Sequence, residues 1–122
     1  MSKYKEIFKL KEMLEKENIK FEFKDKTVRK ENIKNLLDIE EKYPEIFEIN
    51  KRMFNGLYEI MVYKNKKIFQ RKWKELVCVR EGWNTWGEEK DLLEIIGLTK
   101  NGYLSEGYLT AEEVFKRIKE NL

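Results

Sequence analysis

A cluster of acidic side chains in the last third of the chain could take part in metal or acid–base chemistry. It comprises Glu88, Glu89, Asp91 and Glu94. Carboxylate oxygens are preferred ligands of hard cations such as magnesium, so the cluster could serve a hydrolase that uses carboxylates alone. Acids at these positions would equally suit the first turns of a helix, because they complement the positive end of the helix dipole. We favour the second interpretation and expect a helix over residues 88–96 that ends at Gly97.

The composition removes most other catalytic chemistries. The 122 residues include no histidine and one cysteine. Without histidine the chain has no Ser-His-Asp triad, no Cys-His nucleophile and no zinc site of the Cys and His type. The glycine-rich phosphate-binding motifs of nucleotide enzymes are missing from the sequence as well. We therefore expect a protein that is not an enzyme and that uses no cofactor and no metal ion.

A strongly basic run covers residues 64–74, with six lysines or arginines in eleven positions and no acid. The candidate partner-binding residues in this run are Lys66, Lys67, Arg71, Lys72, Trp73 and Lys74. The cations could hold phosphates while Phe69 or Trp73 stacks on a base, an arrangement that binds nucleic acid. The same charges would suit an acidic protein surface. The simpler interpretation is a solvated hairpin whose aromatic residues lie in the core.

Two further candidates, Trp83 and Trp86, stand between Gly82 and Gly87 and predict a loop that follows a strand. Tryptophan on a loop is an effective anchor for a partner, because it buries a large area at a low cost in conformational entropy. The pair could also clamp a planar ligand. Either ring could instead fill the core, since tryptophan is usually largely buried even without a partner. The sequence leaves both alternatives open.

The single thiol, Cys78, lies between two valines in a strand-like run, and we expect it to be a small buried apolar residue. Arg80 could lower the pKa of the thiol if that side chain were exposed. Aromatic residues in the middle of the chain are expected to lie mostly in the core or on a sheet face. They are Tyr43, Phe47, Phe54, Tyr58 and Tyr63.

Periodicity predicts helices at both ends of the chain and strands between them. A helix capped by Ser2 should run to about Glu17, with Asn18 as its stop. The pair Thr110 and Glu113 has the capping-box spacing that opens a last helix. Residues 19–24 alternate apolar and charged side chains, as in a half-buried strand, and residues 57–63 and 67–81 supply two further strand segments. We expect another helix, capped by Thr27, in the middle of the chain.

These elements predict an α+β fold in a single domain, 1–122, with a small antiparallel sheet of about three strands packed against three to four helices. The formal net charge is only +3, and no apolar run approaches the length of a membrane span. A single cysteine and the lack of a signal-peptide pattern favour the cytosol.

The glycine-punctuated stretches 82–99 and 107–115, taken with 10–16 and 19–23, resemble the small accessory proteins of phages and prophages of low-GC Gram-positive bacteria. The resemblance covers about the first 24 and the last 50 residues. It is weakest over residues 25–53, which we interpret as an insertion or a diverged segment. It implies a small cytoplasmic protein that binds and blocks a machine of the host cell, such as a CRISPR effector or another defence complex.

Inhibitors of this kind often mimic nucleic acid with an acidic surface, which a net basic chain does not favour. The expected partner is therefore a host protein or ribonucleoprotein complex, engaged through the tryptophan loop and the basic run. A small nucleic-acid- or nucleotide-binding module that uses residues 64–74 is the alternative. No membrane partner is expected, and the sequence does not select an oligomeric state.

Overall fold

A computed structural model describes residues 4–29, 41–43, 45, 54–64 and 74–122, which contain two complete α-helices and five β-strands. The helices are α1 (Lys5–Lys16) and α2 (Ala111–Asn121). The strands are β1 (Phe21–Asp25), β2 (Leu57–Lys64), β3 (Lys74–Gly82), β4 (Leu93–Ile96) and β5 (Ser105–Leu109). The chain therefore has the predicted α+β architecture. None of the described helices has the length and the apolar character needed to cross a membrane.

The strands form one antiparallel sheet, in which they follow one another in the order of the sequence. This order is expected when each strand is joined to its neighbour without a crossover. The predicted segments 19–24 and 57–63 are confirmed as β1 and β2, and residues 74–81 of the third segment are confirmed as part of β3, whereas residues 67–73 lie outside the described residues. The prediction of about three strands is nevertheless too low, because β4 and β5 extend the sheet. Strands β1 and β5 are its two edges.

Helix α1 forms because apolar side chains recur on one face at helical spacing. Ile7, Leu10 and Leu14 are fully buried on that face. The helix begins after Tyr4, which has left-handed backbone geometry at φ 65°, and the proposed cap Ser2 lies outside the described residues. It ends as predicted near Asn18, which is left-handed at φ 55°.

Helix α2 opens with the predicted capping box. The Thr110 hydroxyl accepts a hydrogen bond from the Glu113 N–H at 3.2 Å, and the Glu113 carboxylate accepts one from the Thr110 N–H at 3.4 Å. Each side chain thus satisfies a main-chain donor that the helix itself cannot pair. Val114 and Ile118 are buried against the core.

The core lies between the two helices and one face of the sheet. It consists of Ile7, Leu10, Leu14, Ile60, Val62, Val77, Val79, Leu93, Ile95, Leu109, Ala111, Val114 and Ile118. Alternate strand residues point to the second face of the sheet, as a period of two requires. There Arg80 of β3 lies opposite Glu59 of β2 and Glu94 of β4, and it approaches their carboxylates at 3.7 and 3.8 Å.

The helix predicted over residues 88–96 is wrong. One 3₁₀ turn covers Glu88–Lys90, and the strand β4 follows. Asp91 has left-handed backbone geometry at φ 53°, so the 3₁₀ helix ends after one turn. Leu93 and Ile95 then enter the core from alternate positions, so burial on the sheet outweighs the helical preference of the acidic residues. Gly97, the expected helix cap, instead directly follows the end of β4 and has a positive φ of 98°.

The middle of the chain is described only in part. Thr27 does not cap a helix at residues 28 and 29, because its hydroxyl accepts a hydrogen bond from the Leu57 N–H at 3.1 Å and so joins the end of β1 to the start of β2. Residues 41, 42 and 45 have helical backbone geometry. The rest of the helical region expected between Thr27 and residue 53, including Phe47, lies outside the described residues.

Candidate partner-binding surface

The tryptophan loop, residues 83–92, follows strand β3 directly, as predicted. Hydrogen bonds fix its course: the Thr85 hydroxyl donates to the Gly82 carbonyl at 2.7 Å, and the Leu92 N–H donates to the Gly87 carbonyl at 3.1 Å. Trp83 is half-buried, whereas Trp86 is 63% exposed. The two rings therefore have different surroundings, and only Trp86 is presented to solvent as an anchor would be.

Trp86 is held by its main chain, which leaves its ring available. Its N–H donates to the Glu94 carboxylate at 2.9 Å, and its carbonyl accepts a hydrogen bond from the Tyr108 N–H at 3.4 Å. The Tyr108 hydroxyl in turn donates to the Glu89 carboxylate. The loop is thus joined to β4 through Glu94 and to β5 through Tyr108.

Strand β5 carries a bulge beside Trp86. Between two matched pairs of residues, β5 has one residue more than β4, and Tyr108 within it is left-handed at φ 60°. Gly107 stands next to Tyr108, and a side chain at Gly107 would collide with the Cβ and the main chain of Trp86. The missing side chain at this position is therefore what lets the loop close against β5.

Five of the exposed large apolar side chains belong to β4, β5 and the loops that adjoin these two strands. They are Trp86, Ile96, Tyr103, Leu104 and Tyr108, which we call the β4–β5 surface. Tyr103 is 63% exposed and Leu104 is 91% exposed. Strand β5 is only about 17 Å long, so these side chains lie within the width of a single protein interface. Exposed apolar residues that are concentrated in one part of a fold are typical of sites that bind another protein.

An ion pair holds the turn between β4 and β5 to helix α2. Arg117 donates through Nη1 and Nη2 to the two carboxylate oxygens of Glu106, at 2.8 and 2.7 Å. Nη1 also donates to the Leu98 carbonyl at 3.2 Å, and the Lys100 N–H donates to Glu106 at 2.8 Å. The hydrogen bonds from Arg117 lower the pKa of Glu106 to about 2, so the pair stays charged at neutral pH. The turn is fixed at its base while its apolar tip is exposed.

Trp83 lines an open pocket of about 470 Å³ at the end of β3. The other residues around this pocket are Tyr4, Asn55, Gly82, Glu88, Glu89 and Asp91. The predicted acidic cluster does not converge here, because Glu94 lies on the second face of the sheet beside Arg80. Glu88 accepts a hydrogen bond from the Asn84 N–H at 3.3 Å within the loop. In the described part of the chain, no three His, Cys, Asp or Glu side chains are arranged to hold a metal ion.

Most of the basic run lies outside the described residues, namely Lys66, Lys67, Arg71, Lys72 and Trp73. Lys74 opens β3 directly opposite Lys64, the last residue of β2, and both lysines are exposed. The tryptophan loop begins at the other end of β3, about 26 Å of strand away. Lys74 and the tryptophans therefore do not form one compact site.

Cys78 lies within β3, as predicted, but it is half-buried on the second face of the sheet. Burial raises the pKa of the thiol to about 11, and the nearby Glu59 carboxylate adds to this effect. Arg80 acts in the opposite direction and does not outweigh them. The thiol is consequently protonated at neutral pH and is a poor nucleophile.

Four residues of the β4–β5 surface were not predicted from the sequence: Ile96, Tyr103, Leu104 and Tyr108. A signal was present in the Gly102-Tyr103-Leu104 segment, where two large apolar residues follow a glycine with φ 71° at the tip of a turn. Large apolar residues that directly follow a glycine in a turn, outside any helical or strand-like pattern, are candidates for exposure.

Comparisons of the chain with protein-family models, with curated proteins and with solved structures found no match.

Proposed function

We propose that the chain is a non-catalytic accessory protein of a phage or related mobile element, which binds a protein machine of the host and blocks it in the manner of an anti-CRISPR inhibitor. The observation that carries the binding role is the β4–β5 surface, with Trp86 as its aromatic anchor. The phage setting is supported by the sequence resemblance alone.

The chemistry of the surface favours a protein partner over a nucleic acid at this position. Ile96 and Leu104 are aliphatic and can neither pair with phosphates nor stack on bases, so they gain free energy only by burial against other apolar groups. Trp86 and Tyr103 add large rings with polar tips, a combination that is enriched at the energetic centres of protein interfaces.

The surface is also organised before any partner arrives. The Trp86 main chain is bonded to Glu94 and Tyr108, and Arg117 and Glu106 tie the neighbouring turn to α2. A surface that is already fixed loses less conformational entropy on binding. Interfaces of ordinary size cover about 800 Å² on each partner, which is enough for a small protein to occlude a functional surface without turnover.

The experiment compares capture of host proteins by the wild type, by the Trp86→Ala/Leu104→Ser double variant and by the control variant Leu122→Ser. Leu122 is also an exposed leucine, at 49%, but it stands at the end of helix α2 and outside the β4–β5 surface. From a nuclease-treated lysate, the wild type and the control should retain one stoichiometric protein partner, and the double variant should lose it. Equal capture by the folded double variant would count against the proposed function.

The second candidate function, a small nucleic-acid- or nucleotide-binding module, is favoured by one observation. Lys64 and Lys74 lie directly opposite each other, and like charges in that position destabilise a strand pair unless an anion lies nearby. Affinity for a single-stranded oligonucleotide should then fall steeply with salt and fall further in Lys64→Gln/Lys74→Gln. Oligonucleotide binding that ignores both salt and these substitutions would remove this candidate.

A further inference from the structure

Strand β1 forms an edge of the sheet, and its pairing with β2 determines which of its main-chain groups point outward. The Tyr63 N–H donates to the Lys20 carbonyl at 2.9 Å, and the Lys26 N–H donates to the Leu57 carbonyl at 2.8 Å. In an antiparallel pair, hydrogen-bonded positions alternate with positions that are not bonded. The even-numbered residues of β1 therefore bond to β2, in the register that both hydrogen bonds share.

The odd-numbered residues Phe21, Phe23 and Asp25 consequently direct their N–H and C=O groups away from β2. Among the described residues no strand lies beyond β1. A row of main-chain donors and acceptors at the edge of a sheet is a template for another strand.

We propose that the strand added at this edge is β1 of a second copy of the chain, paired antiparallel about a two-fold axis that passes beside Phe23. In this register Phe23 lies opposite Phe23 of the second copy, and Phe21 lies opposite its Asp25. Every outward N–H of one copy then meets an outward C=O of the other. Such an interface is closed and self-complementary, as symmetric dimers require.

The charges on the second face of the sheet select the same register. Glu22 of each copy lies opposite Lys24 of the other, at positions where side chains of an antiparallel pair approach most closely. Both side chains are more than half exposed in the single chain. A shift of the pairing by two residues would place Glu22 against Glu22, or Lys24 against Lys24. One register alone therefore pairs the central charges favourably.

The helix-facing side of β1 adds apolar burial to this arrangement. Phe23 packs against Phe8 of α1 and Tyr58 of β2, with ring centroids 5.5 and 5.8 Å apart. Phe8 is nevertheless 43% exposed. The two-fold axis brings the aromatic groups of the two copies together and covers this exposed ring.

The ends of the strand oppose the pairing to some extent, because they bring like charges together. Lys20 faces Lys26 of the second copy, and Lys26 already has a carboxylate neighbour in Glu59 at 3.0 Å. The dimer would use the edge of the sheet opposite to β5, so it leaves the β4–β5 surface of each copy accessible. This inference is therefore independent of the proposed function. Since the shared strand is short, we expect a weak dimer that forms with rising concentration.

Sedimentation equilibrium of the wild type and three charge variants tests this arrangement. Glu22→Lys and Lys24→Glu should each weaken dimerisation about tenfold or more, because each places two like-charge pairs face to face. The double swap Glu22→Lys/Lys24→Glu restores both pairs at unchanged net charge and should recover the wild-type affinity. A wild type that stays monomeric at high concentration, or single variants that dimerise like the wild type, would overturn the proposal.

Hydrogen exchange supplies a second readout that does not depend on the variants. The amides of Phe21, Phe23 and Asp25 should exchange more slowly as the protein concentration rises, because only the dimer pairs them. The amides of Glu22 and Lys24 serve as internal controls, since β2 already protects them in the single chain. A dimer in which the three outward amides exchange at a constant rate would place the interface elsewhere and overturn the proposal.

Discussion

The Glu81 carboxylate of β3 caps the N-terminus of helix α1: its Oε1 accepts a hydrogen bond from the Ile7 N–H at 3.0 Å, across 74 positions of sequence. The first N–H groups of a helix have no partner within the helix, and the side chain of Tyr4, which precedes α1, makes no capping hydrogen bond. Glu81 is 1% exposed, and its Oε2 has no hydrogen-bond partner in the described structure. Burial raises the pKa of Glu81 to about 7. The joint between α1 and the sheet thus includes a carboxyl group that is costly to ionise.

The ionisation of Glu81 should be visible in the pH dependence of the free energy of unfolding. The pKa of Glu81 is near 7 in the folded chain, above the ordinary value of 4.5 for a glutamate side chain, so the folded state binds the proton more tightly. The free energy of unfolding should therefore fall as the pH rises from about 4.5 to about 7, by up to about 3 kcal/mol. Glu81→Gln keeps the acceptor oxygen without the charge and should remove this dependence. Urea denaturation at about pH 5 and about pH 8 measures the difference. If the wild type and Glu81→Gln lose the same free energy of unfolding between these two pH values, the prediction is contradicted.

Arg117→Ala should destabilise the fold and loosen the turn that carries Tyr103 and Leu104. It leaves the Glu106 carboxylate without its main partner, at an expected cost of about 2–3 kcal/mol in the free energy of unfolding. The matched control is Lys119→Ala, which removes the exposed ion pair with Glu17 and should cost less than about 1 kcal/mol. Chemical denaturation of both variants measures the two costs, and equal costs would argue against the role given to Arg117.

The same ion pair predicts a loss of stability in acid. The pKa of Glu106 is lowered from 4.5 to about 2 in the folded chain. The stabilisation is therefore complete above about pH 4.5 and is lost as the pH falls towards about 2. Arg117→Ala should show a smaller loss over this range than the wild type does.

Gly107→Ala should detach the tryptophan loop from β5. The added methyl group collides with Trp86, and we expect a cost of about 2 kcal/mol or more. The control is Gly102→Ala, where the new Cβ meets no atom within 4 Å and only the φ of 71° opposes it, at about 1 kcal/mol. Exchange of the Tyr108 amide, which donates to Trp86, should speed up in Gly107→Ala alone. Similar exchange in both variants would contradict this close approach.

Cys78 should react slowly with alkylating reagents. With a pKa of about 11 instead of 9.0, the thiolate fraction at about pH 8 falls roughly a hundredfold. The rate of alkylation in the folded protein should rise steadily with pH above neutrality, while the urea-unfolded chain should react as an ordinary thiol. Rapid alkylation of the folded protein at neutral pH would show that the thiolate is accessible.

The features that could be predicted from the sequence depend on residues close together in the chain. The capping box joins Thr110 to Glu113, three positions away, and the alternation in β1 is complete within a few residues. Strand β3 was recognisable from Leu76–Val79 for the same reason. Local signals of this kind do not need knowledge of the rest of the fold.

The features that sequence patterns missed depend on distant partners. Residues 88–96 were predicted as a helix because their acidic side chains suit the first turns of a helix. The contact between Glu94 and Arg80, which stabilises β4, joins two different strands and is not visible in the local sequence. The cap on α1 comes from Glu81, which is 74 positions away from Ile7 in the sequence. Trp83 and Trp86 look equivalent in the sequence, but only Trp86 lies against Gly107. The absence of a side chain at Gly107, which is distant in sequence, determines how closely the loop approaches β5.

The most direct test of the central claim is the affinity of the captured partner for Trp86→Ala and Leu104→Ser, measured by isothermal titration with Leu122→Ser as control. If the β4–β5 surface is the binding site, each of the first two variants should weaken binding by about tenfold or more, since truncation of a central anchor costs about 2 kcal/mol. The control should bind like the wild type. Unchanged affinity in both folded surface variants would contradict the claim that this surface engages the partner.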